Sequence, residues 1–325
     1  MHQEPSFTSC LLADICTDKG YKITYFNKAP SLCQVTFPEG HSTVFFSSTL
    51  NCNGAASRVV AIDKLYTKWV LEEAGIAVPA GQLIELPATG EALRLVSGHI
   101  SYPCIIKPVR GYQGKGVSRV DSFENLVSGC YDLALKQYKS LMVEELVVGN
   151  EYRIVMYKGK LVAAYKKTPL SIIGDGEKAV TDLLEEKRME HMCTGRGDTI
   201  SGQHDFLEDR LAQIGYMNTS VIPTGVEVIL RDNANLSTGG GMVDVTDNVH
   251  TSFVDIAKKI SDVLDLQLIG IDIILQGDLT EKLGKYWILE VAYTPGMQHF
   301  ASLGENQYAR VRSLYTQIIE DIRHK

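Results

Sequence analysis

Residues 102–117 read YPCIIKPVRGYQGKGV, an apolar stretch that delivers a lysine and then turns through several glycines. The pattern predicts a buried strand that runs into a glycine-rich turn. Glycines carry no Cβ, so the backbone N–H groups of such a turn can approach a polyphosphate. The candidate phosphate-binding residues are therefore Lys107, Gly111, Gly114, Lys115 and Gly116.

The spacing of these glycines excludes two common nucleotide-binding motifs. A P-loop needs G-x-x-x-x-G-K-[ST], whereas Lys115 is followed by Gly116 and not by a hydroxyl side chain. The dinucleotide fingerprint G-x-G-x-x-G fails as well, because the glycines here run G-x-x-G-x-G. A hairpin turn with a solvated lysine remains an open alternative.

A second candidate site lies at the end of the strand predicted over residues 141–146. An apolar strand that ends in carboxylates can present its backbone groups to an adenine edge, and a later carboxylate can accept from ribose hydroxyls. A solvated strand end would show the same pattern. The residues concerned are Glu144, Glu145, Leu146 and Val147, with Glu151 further along the chain.

Two carboxylates lie inside predicted strands of the C-terminal half. Asp272 lies in GIDIIL at 270–275 and Glu290 in WILEV at 287–291. An acid within an apolar strand is costly to bury without a partner. Mg²⁺ is often held by one or two carboxylates together with phosphate oxygens and water, so we predict a Mg²⁺ site here. The alternative is that each carboxylate pairs with a lysine or an arginine.

A polar loop follows Arg231, and its small residues predict an anion-binding concavity. Such a site suits a carboxylate or a phosphoryl group in transfer. A plain flexible loop is the alternative. The loop residues that we consider are Asn235, Ser237, Thr238, Gly239 and Gly240.

The composition limits the classes of protein. The chain has 325 residues, of which 45% are hydrophobic and 22% charged, with a net charge of -7. It lacks the apolar run of roughly 20 residues that a membrane helix needs, and an acidic chain does not favour nucleic-acid binding. Seven scattered cysteines without a C-x-x-C pair suit a reducing compartment, so we expect a cytoplasmic protein. Mixed strands, helices and hairpins favour an α+β fold over a parallel doubly wound sheet.

Together the motifs resemble the ATP-grasp superfamily, and above all the ATP-grasp modules of cyanophycin synthetases and of bifunctional glutathione synthetases. The similar segments occur in order over residues 14–311. They are Asp63-Lys64 with AGIAVP at 74–79, the stretch at 102–117, GNEYR at 149–153, Pro169 with GDG at 174–176, NLSTGG at 235–240, DVTDNVH at 244–250, GIDII at 270–274, and Glu290-Val291 with Pro295-Gly296.

The resemblance implies the cofactors ATP and Mg²⁺. Lys64 and Lys107 would be the two ATP lysines, and the 111–116 turn would cover the phosphates. The segment at 144–147 would bind adenine, while Glu151 would bind ribose. The Mg²⁺ ligands would be Asp272 and Glu290.

The resemblance also implies carboxylate activation. An amino-acid or peptide carboxylate attacks the γ-phosphoryl group of ATP, and an amine then displaces phosphate from the acyl phosphate to form an amide. Lys167 and Arg231 would be the catalytic cations. The substrate contacts would be Arg153, Asn235, Ser237, Thr238, Gly239 and Gly240.

The implied fold has two α+β lobes that grip ATP. We expect a short N-terminal α/β piece over 1–62 and an ATP-grasp domain over 63–325, with a lid at about 80–147. A homodimer is the expected oligomer for an enzyme of this type.

Some residues depart from the family pattern. Ala292 stands where relatives carry a metal-binding asparagine, so one Mg²⁺ would lose a ligand. Met297-Gln298 replaces the usual Phe-Arg after Pro-Gly, and Lys167 replaces an arginine. Two alternatives therefore stay open besides the ligase: an ATP-binding protein with weak or no turnover, and a small-molecule kinase.

Overall fold

A computed structural model describes residues 6–26, 29–111, 114–193, 198, 200, 204–231 and 233–324. The chain forms two compact units. Unit 1 comprises Met1–Ala164, Val245–Pro295 and Leu314–Lys325, and unit 2 comprises Tyr165–Asp244 and Gly296–Ser313. Among the described helices, none is long and apolar enough to cross a membrane.

Unit 1 begins with a helix and a small antiparallel sheet. Helix α1 spans Phe7–Lys19; the side chain of Ser6 caps its start, and Gly20 ends it in the left-handed region. Three strands follow and pair in chain order: β1 Lys22–Phe26, β2 Ala29–Thr36 and β3 Ser42–Phe46. Cys16 of α1 and Cys33 of β2 are both fully buried in this part of the unit.

Two helices connect this sheet to the next one: α2 Ala55–Ile62 and α3 Lys64–Glu73. Asp63 lies between them and caps α3, because its carboxylate accepts from the backbone N–H groups of Leu65 and Tyr66. Since α3 begins at Lys64, Lys68 lies one turn later on the same face.

The segment 81–145 forms a four-stranded antiparallel sheet in the order β4-β7-β5-β6. Helices α4 Gly90–Ser97 and α5 Phe123–Leu135 share a core with one face of it, which includes Ile106 and Val143. Alternation along the strands therefore puts Lys107 and Glu144 on the opposite face. The strands are β4 Gly81–Glu85, β5 Cys104–Pro108, β6 Ser118–Val120 and β7 Ser140–Glu145.

One hydrophobic core of unit 1 surrounds strand β13, Leu268–Leu275. In this unit the strand order is β9-β8-β13-β14, and β13 contributes the buried Ile271 and Ile273. Helix α8 packs against this sheet through Phe253 and Ile260. The elements are β8 Asn150–Tyr157, β9 Lys160–Thr168, α8 Thr251–Val263, β13 Leu268–Leu275 and β14 Tyr286–Ala292.

Strand β9 continues into unit 2, where its last residues pair with β12. A separate core there includes Leu170, Ile172 and Leu230. The elements are β10 Ser171–Ile173, α6 Val180–Cys193, α7 His204–Gln213, β11 Glu227–Ile229, β12 Gly241–Asp244 and α9 Gln298–Ala301. Helix α10, Glu305–Arg323, begins in unit 2 and ends in unit 1.

The predicted α+β class is confirmed, since the sheets are antiparallel and mixed with helices. The compact units divide the chain between Ala164 and Tyr165, so the expected domain boundary at 62–63 stays a prediction. The lid assignment for residues 80–147 also stays a prediction, although the four-stranded sheet lies within that segment.

Candidate functional site

Charged side chains line a narrow cavity in unit 1. Lys64 and Lys68 come from α3, Lys107 comes from β5, Glu144 from β7 and Glu290 from β14. The cavity has a volume of about 10 Å³, which is space for roughly one water molecule. Three lysines and two carboxylates therefore face the same small space.

Glu144 binds two of these lysines at once. The Lys107 ammonium lies 2.5 Å from Oε2, and the Lys68 ammonium lies 3.4 Å from Oε1. All three side chains are less than a tenth exposed. One carboxylate cannot neutralise two ammonium groups, so this trio carries an excess positive charge in a setting where charges are costly to leave uncompensated.

Gly81 makes room for this trio. A Cβ at this position would lie 2.7 Å from Cγ of Glu144 and 3.3 Å from Nζ of Lys68. Strand pairing puts Gly81 directly opposite Glu144. The glycine is therefore required by the space that the charged side chains occupy.

Lys64 connects the start of α3 to the residues at which the glycine-rich turn begins. Its backbone N–H donates to Val109 O at 3.1 Å, and its ammonium donates to Gly111 O at 3.0 Å. Burial lowers the pKa of Lys64, nearby Lys107 lowers it further, and Glu290, 4.0 Å away, opposes the shift. A buried lysine in this position is suited to an anionic ligand.

Two glycines of the turn need to be glycine. Gly114 and Gly116 have φ values of 68° and 77°, in the left-handed region. A Cβ on Gly116 would also lie 2.8 Å from Cγ of Pro108. At Gly111 the nearest atom to a Cβ is 3.7 Å away, so space does not require glycine there. Tyr112 and Gln113 lie outside the described residues, and Lys115 is exposed.

Part of the predicted adenine-binding segment is hydrogen-bonded within the protein. The backbone N–H of Glu145 donates to Ala80 O at 2.9 Å, and its carboxylate accepts from Ala80 N at the same distance. Leu146 and Val147 follow β7 and are half-buried, and Glu151 lies on β8. The backbone N–H of Glu145 is thus not available to an adenine in this arrangement.

Arg153, Asp272 and Glu290 form one row across three strands. Asp272 is the direct partner of Arg153 on β8 and of Glu290 on β14. The Arg153 guanidinium binds both oxygens of Asp272, with N–O distances of 2.5 and 2.6 Å. Asp272 therefore fits the alternative of a carboxylate that pairs with an arginine. We expected Arg153 to contact the substrate, but in the structure it contacts this carboxylate.

The donor set of this row fits a Mg²⁺ ion in part. Among the described residues, no group of three metal-ligating side chains is present. Two carboxylates on neighbouring strands are nevertheless sufficient where phosphate oxygens and water complete the shell. A carboxylate has more acceptor sites than one arginine uses, so Arg153 can orient Asp272 without excluding a cation. Ala292 adds no ligand.

The loop after Arg231 lies in unit 2 and closes on itself. Asn235 O accepts from the backbone N–H groups of Thr238 and Gly240, at 3.1 and 3.0 Å. A Cβ on Gly240 would lie 2.8 Å from Thr168 O, so the backbone segments are in close contact. The described part of the loop is thus a hydrogen-bonded turn, and its predicted role in anion binding stays a prediction.

The two predicted catalytic cations also lie in unit 2. Lys167 is buried on β9, where it pairs in register with Met242. Burial lowers the pKa of Arg231. Gly239 ends the short 236–238 turn in the left-handed region with φ 95°, and the side chain of Ser237 lies outside the described residues.

Comparison with known proteins gives a consistent result. No family model matches the chain. A cyanophycin synthetase of a Synechocystis species is 34% identical over 254 residues, which cover 74% of this chain and 28% of that protein. The glutathione biosynthesis bifunctional protein GshAB of Streptococcus mutans is 32% identical over 219 residues, covering 66% of this chain and 29% of that protein. The chain thus spans less than a third of these curated relatives.

Similarity to a solved structure identifies the fold. A bifunctional glutathione synthetase from Pasteurella multocida superposes with a TM-score of 0.66 over 96% of this chain and 44% of that chain, at 21% identity. The protein has an ATP-grasp fold. Within this ATP-grasp fold, Lys64, Lys107, Glu144 and Glu290 line one cavity.

The sequence motifs did not point to Lys68 or to Gly81. Lys68 lies four residues after Lys64 on a helix, and this spacing was the available signal that both lysines share a face. Its burial depends on Glu144, which is distant in sequence. All residue roles assigned from the ATP-grasp resemblance stay predictions.

Proposed function

We propose that the chain is an ATP- and Mg²⁺-dependent, ADP-forming ligase that joins an amino-acid or peptide carboxylate to an amine through an acyl phosphate. The observation that carries this proposal is the buried cluster of Lys64, Lys68 and Lys107 in an ATP-grasp fold. The similarity to cyanophycin synthetase and to GshAB supports an amide-forming reaction.

The charge of the cavity favours a polyphosphate. Among the described residues that line the cavity, Glu144 is the one deeply buried carboxylate, since the side chain of Glu290 is 39% exposed. An anion that enters relieves the excess positive charge of the lysines, and water-excluded cations interact with it more strongly than solvated ones do. The glycine-rich turn begins beside Lys64, where its backbone can approach the phosphates.

Asp272 and Glu290 would hold Mg²⁺. The ion would neutralise charge on the phosphate oxygens. Arg153 has a positioning role in this proposal, since its two contacts fix the orientation of the Asp272 carboxylate. Ala292 leaves the site with one side-chain ligand fewer than an asparagine would provide.

The reaction needs positioning and charge stabilisation, and no side-chain nucleophile. A substrate carboxylate oxygen bonds to the γ-phosphorus as the bond to the ADP oxygen breaks. The amine then attacks the acyl carbon, phosphate leaves, and the amine loses a proton. Lys107 would stabilise the phosphoryl oxygens, and Lys167 and Arg231 would stabilise the acyl phosphate.

The test is an ADP-release screen with amino acids and short peptides in pairs. The proposal requires ADP and phosphate release that depends on both an acid and an amine, with an amide product in the mass spectrum. Lys107→Ala serves as the inactive control. Formation of AMP and pyrophosphate would contradict the acyl-phosphate route.

A second candidate is an ATP-binding protein with little turnover. Ala292, two residues after Glu290 on β14, favours it. It predicts Mg²⁺–ATP binding without acid-dependent ADP formation, both before and after Ala292→Asn. A strong rise in turnover on that substitution would instead assign the low activity to the absent ligand.

A further inference from the structure

Lys68 is a buried cation that the reaction described above does not use. It lies one turn after Lys64, and its side chain is 8% exposed. Its ammonium donates to the carbonyl of Pro79 and lies 3.4 Å from Oε1 of Glu144. A backbone carbonyl and a carboxylate together hold this ammonium at the wall of the cavity.

Lys107 is held differently from Lys68. It lies 2.5 Å from Oε2 of Glu144, the other oxygen of the same carboxylate. Among the described residues, Glu144 is the one carboxylate that Lys107 contacts. Lys107 therefore has one partner to exchange for a phosphate, whereas Lys68 also has Pro79, a partner that does not compete with a ligand.

We propose that Lys68 is a positioning residue that keeps Glu144 paired while Lys107 transfers from Glu144 to the nucleotide phosphates. The inference rests on the proposed function, because it assumes that the phosphates of a nucleotide bind to Lys107. It adds a residue and an exchange of ion pairs to that function. Gly81 supports it, since this position leaves room for Glu144 and Lys68 side by side.

The physical reason is the cost of a lone buried carboxylate. Without Lys68, the transfer of Lys107 to a phosphate would leave Glu144 buried and without a cation. Breaking a buried ion pair in this way is strongly unfavourable. With Lys68 present, Glu144 retains one ammonium, and the excess positive charge of the trio moves to the ligand. Lys68 would thus favour nucleotide binding without contacting the nucleotide.

The experiment measures the affinity of the full chain for Mg²⁺–ATP and for Mg²⁺–ADP by calorimetry, without acid or amine. We expect Lys68→Met to weaken binding by at least about 10-fold. In a Glu144→Gln background no carboxylate needs a cation, so adding Lys68→Met should change the affinity less than about 2-fold. Lys282→Met, at an exposed lysine of the same unit, is the matched control and should bind like the wild type.

The double variant separates positioning from other roles. If Lys68 contacted the phosphates or only stabilised the fold, its loss would weaken binding equally in the Glu144→Gln background, and that result would overturn the proposal. If Lys68→Met alone does not fold, the affinities of Glu144→Gln and of the double variant still test the proposal. Circular dichroism checks that both of these variants fold. Unchanged affinity in Lys68→Met would overturn it as well.

The two proposals fail in distinguishable ways. A wild-type chain that binds neither nucleotide contradicts the ligase and the Lys68 inference together. A chain that binds Mg²⁺–ATP and shows the expected coupling, but releases no ADP with any acid and amine, contradicts the ligase and leaves the Lys68 inference supported.

Discussion

At the scale of single residues, Gly81 shows how an absent side chain shapes the cavity. Its φ is not in the left-handed region, so conformation does not require glycine here. Space does, because a Cβ would lie 2.7 Å from Glu144 and 2.8 Å from Val143 O. The second neighbour is backbone within a paired strand and cannot move aside cheaply.

We therefore expect Gly81→Ala to lower the free energy of unfolding by about 1–3 kcal/mol, since it forces Glu144 and strand β7 apart. Urea unfolding followed by circular dichroism measures the loss. Gly90→Ala is the matched control, because no atom lies within 4 Å of its added Cβ and the residue begins helix α4. The control should be neutral or slightly more stable. Equal losses in both variants would contradict the steric explanation.

The residue scale also shows what the sequence could predict of the site. Lys64, Lys107 and Glu144 occur in recognisable motifs, and the structure places them around one cavity. Lys68 lies in no such motif. A lysine on a helix is usually solvated, so its position in the sequence does not indicate burial. Its role depends on a strand that pairs far away in sequence, and no local pattern contains that pairing.

At the scale of elements, the register of β13 decides which charges meet. Asp272 is paired with Arg153 on one side and with Glu290 on the other. A shift of one residue would turn these side chains to the other face of the sheet. The register therefore creates the row, and the guanidinium that binds Asp272 is a consequence of it.

Arg153→Met should destabilise the protein by about 2–4 kcal/mol, because the Asp272 carboxylate, whose side chain is 8% exposed, loses its guanidinium. The control is Arg119→Met, which breaks an ion pair whose side chains are 51% and 59% exposed. That loss should stay below about 1 kcal/mol. Urea denaturation of both variants gives the comparison, and similar losses would show that the Arg153–Asp272 contact adds little stability.

Elements with strong local patterns were predictable, and elements that depend on pairing were not. The strands β5, β7, β13 and β14 were predicted from the apolar patterns of their sequences. Strands β2, β4 and β12 were not predicted from the sequence. Strand β4, for example, is defined by its pairing with β7.

At the scale of the whole molecule, the charged residues are distributed unevenly over the chain. The net charge of -7 excludes a basic surface in general, yet the lysine cavity of unit 1 is locally cationic. Composition averages over the chain and cannot show such a reversal. The fold concentrates the cations because α3 and β5 bring lysines to the same carboxylate.

Stability at alkaline pH offers a whole-molecule test of the N-terminal packing. Burial, and to a lesser extent the neighbouring Cys33, raise the pKa of the Cys16 thiol from 9.0 to about 12. Below pH 9 the thiol is protonated in the folded and unfolded states alike. Between pH 9 and about 12 the unfolded state loses the proton while the folded state keeps it, so the free energy of unfolding must fall as the pH rises.

Cys16→Ala should reduce the slope of this fall, because it removes a group whose ionisation favours unfolding. The measurement is the urea midpoint of unfolding at several pH values from 8 to about 11, the range in which the unfolded thiol begins to titrate. The informative quantity is the slope of stability against pH. The absolute stability is not informative, because the cavity left by the substitution lowers stability at every pH. Cys10→Ala, at an exposed cysteine of the same helix, should keep the wild-type slope. An unchanged slope in Cys16→Ala would mean that the thiol of Cys16 ionises as readily in the folded state as in the unfolded one, and that the packing between α1 and β2 does not exclude water from it.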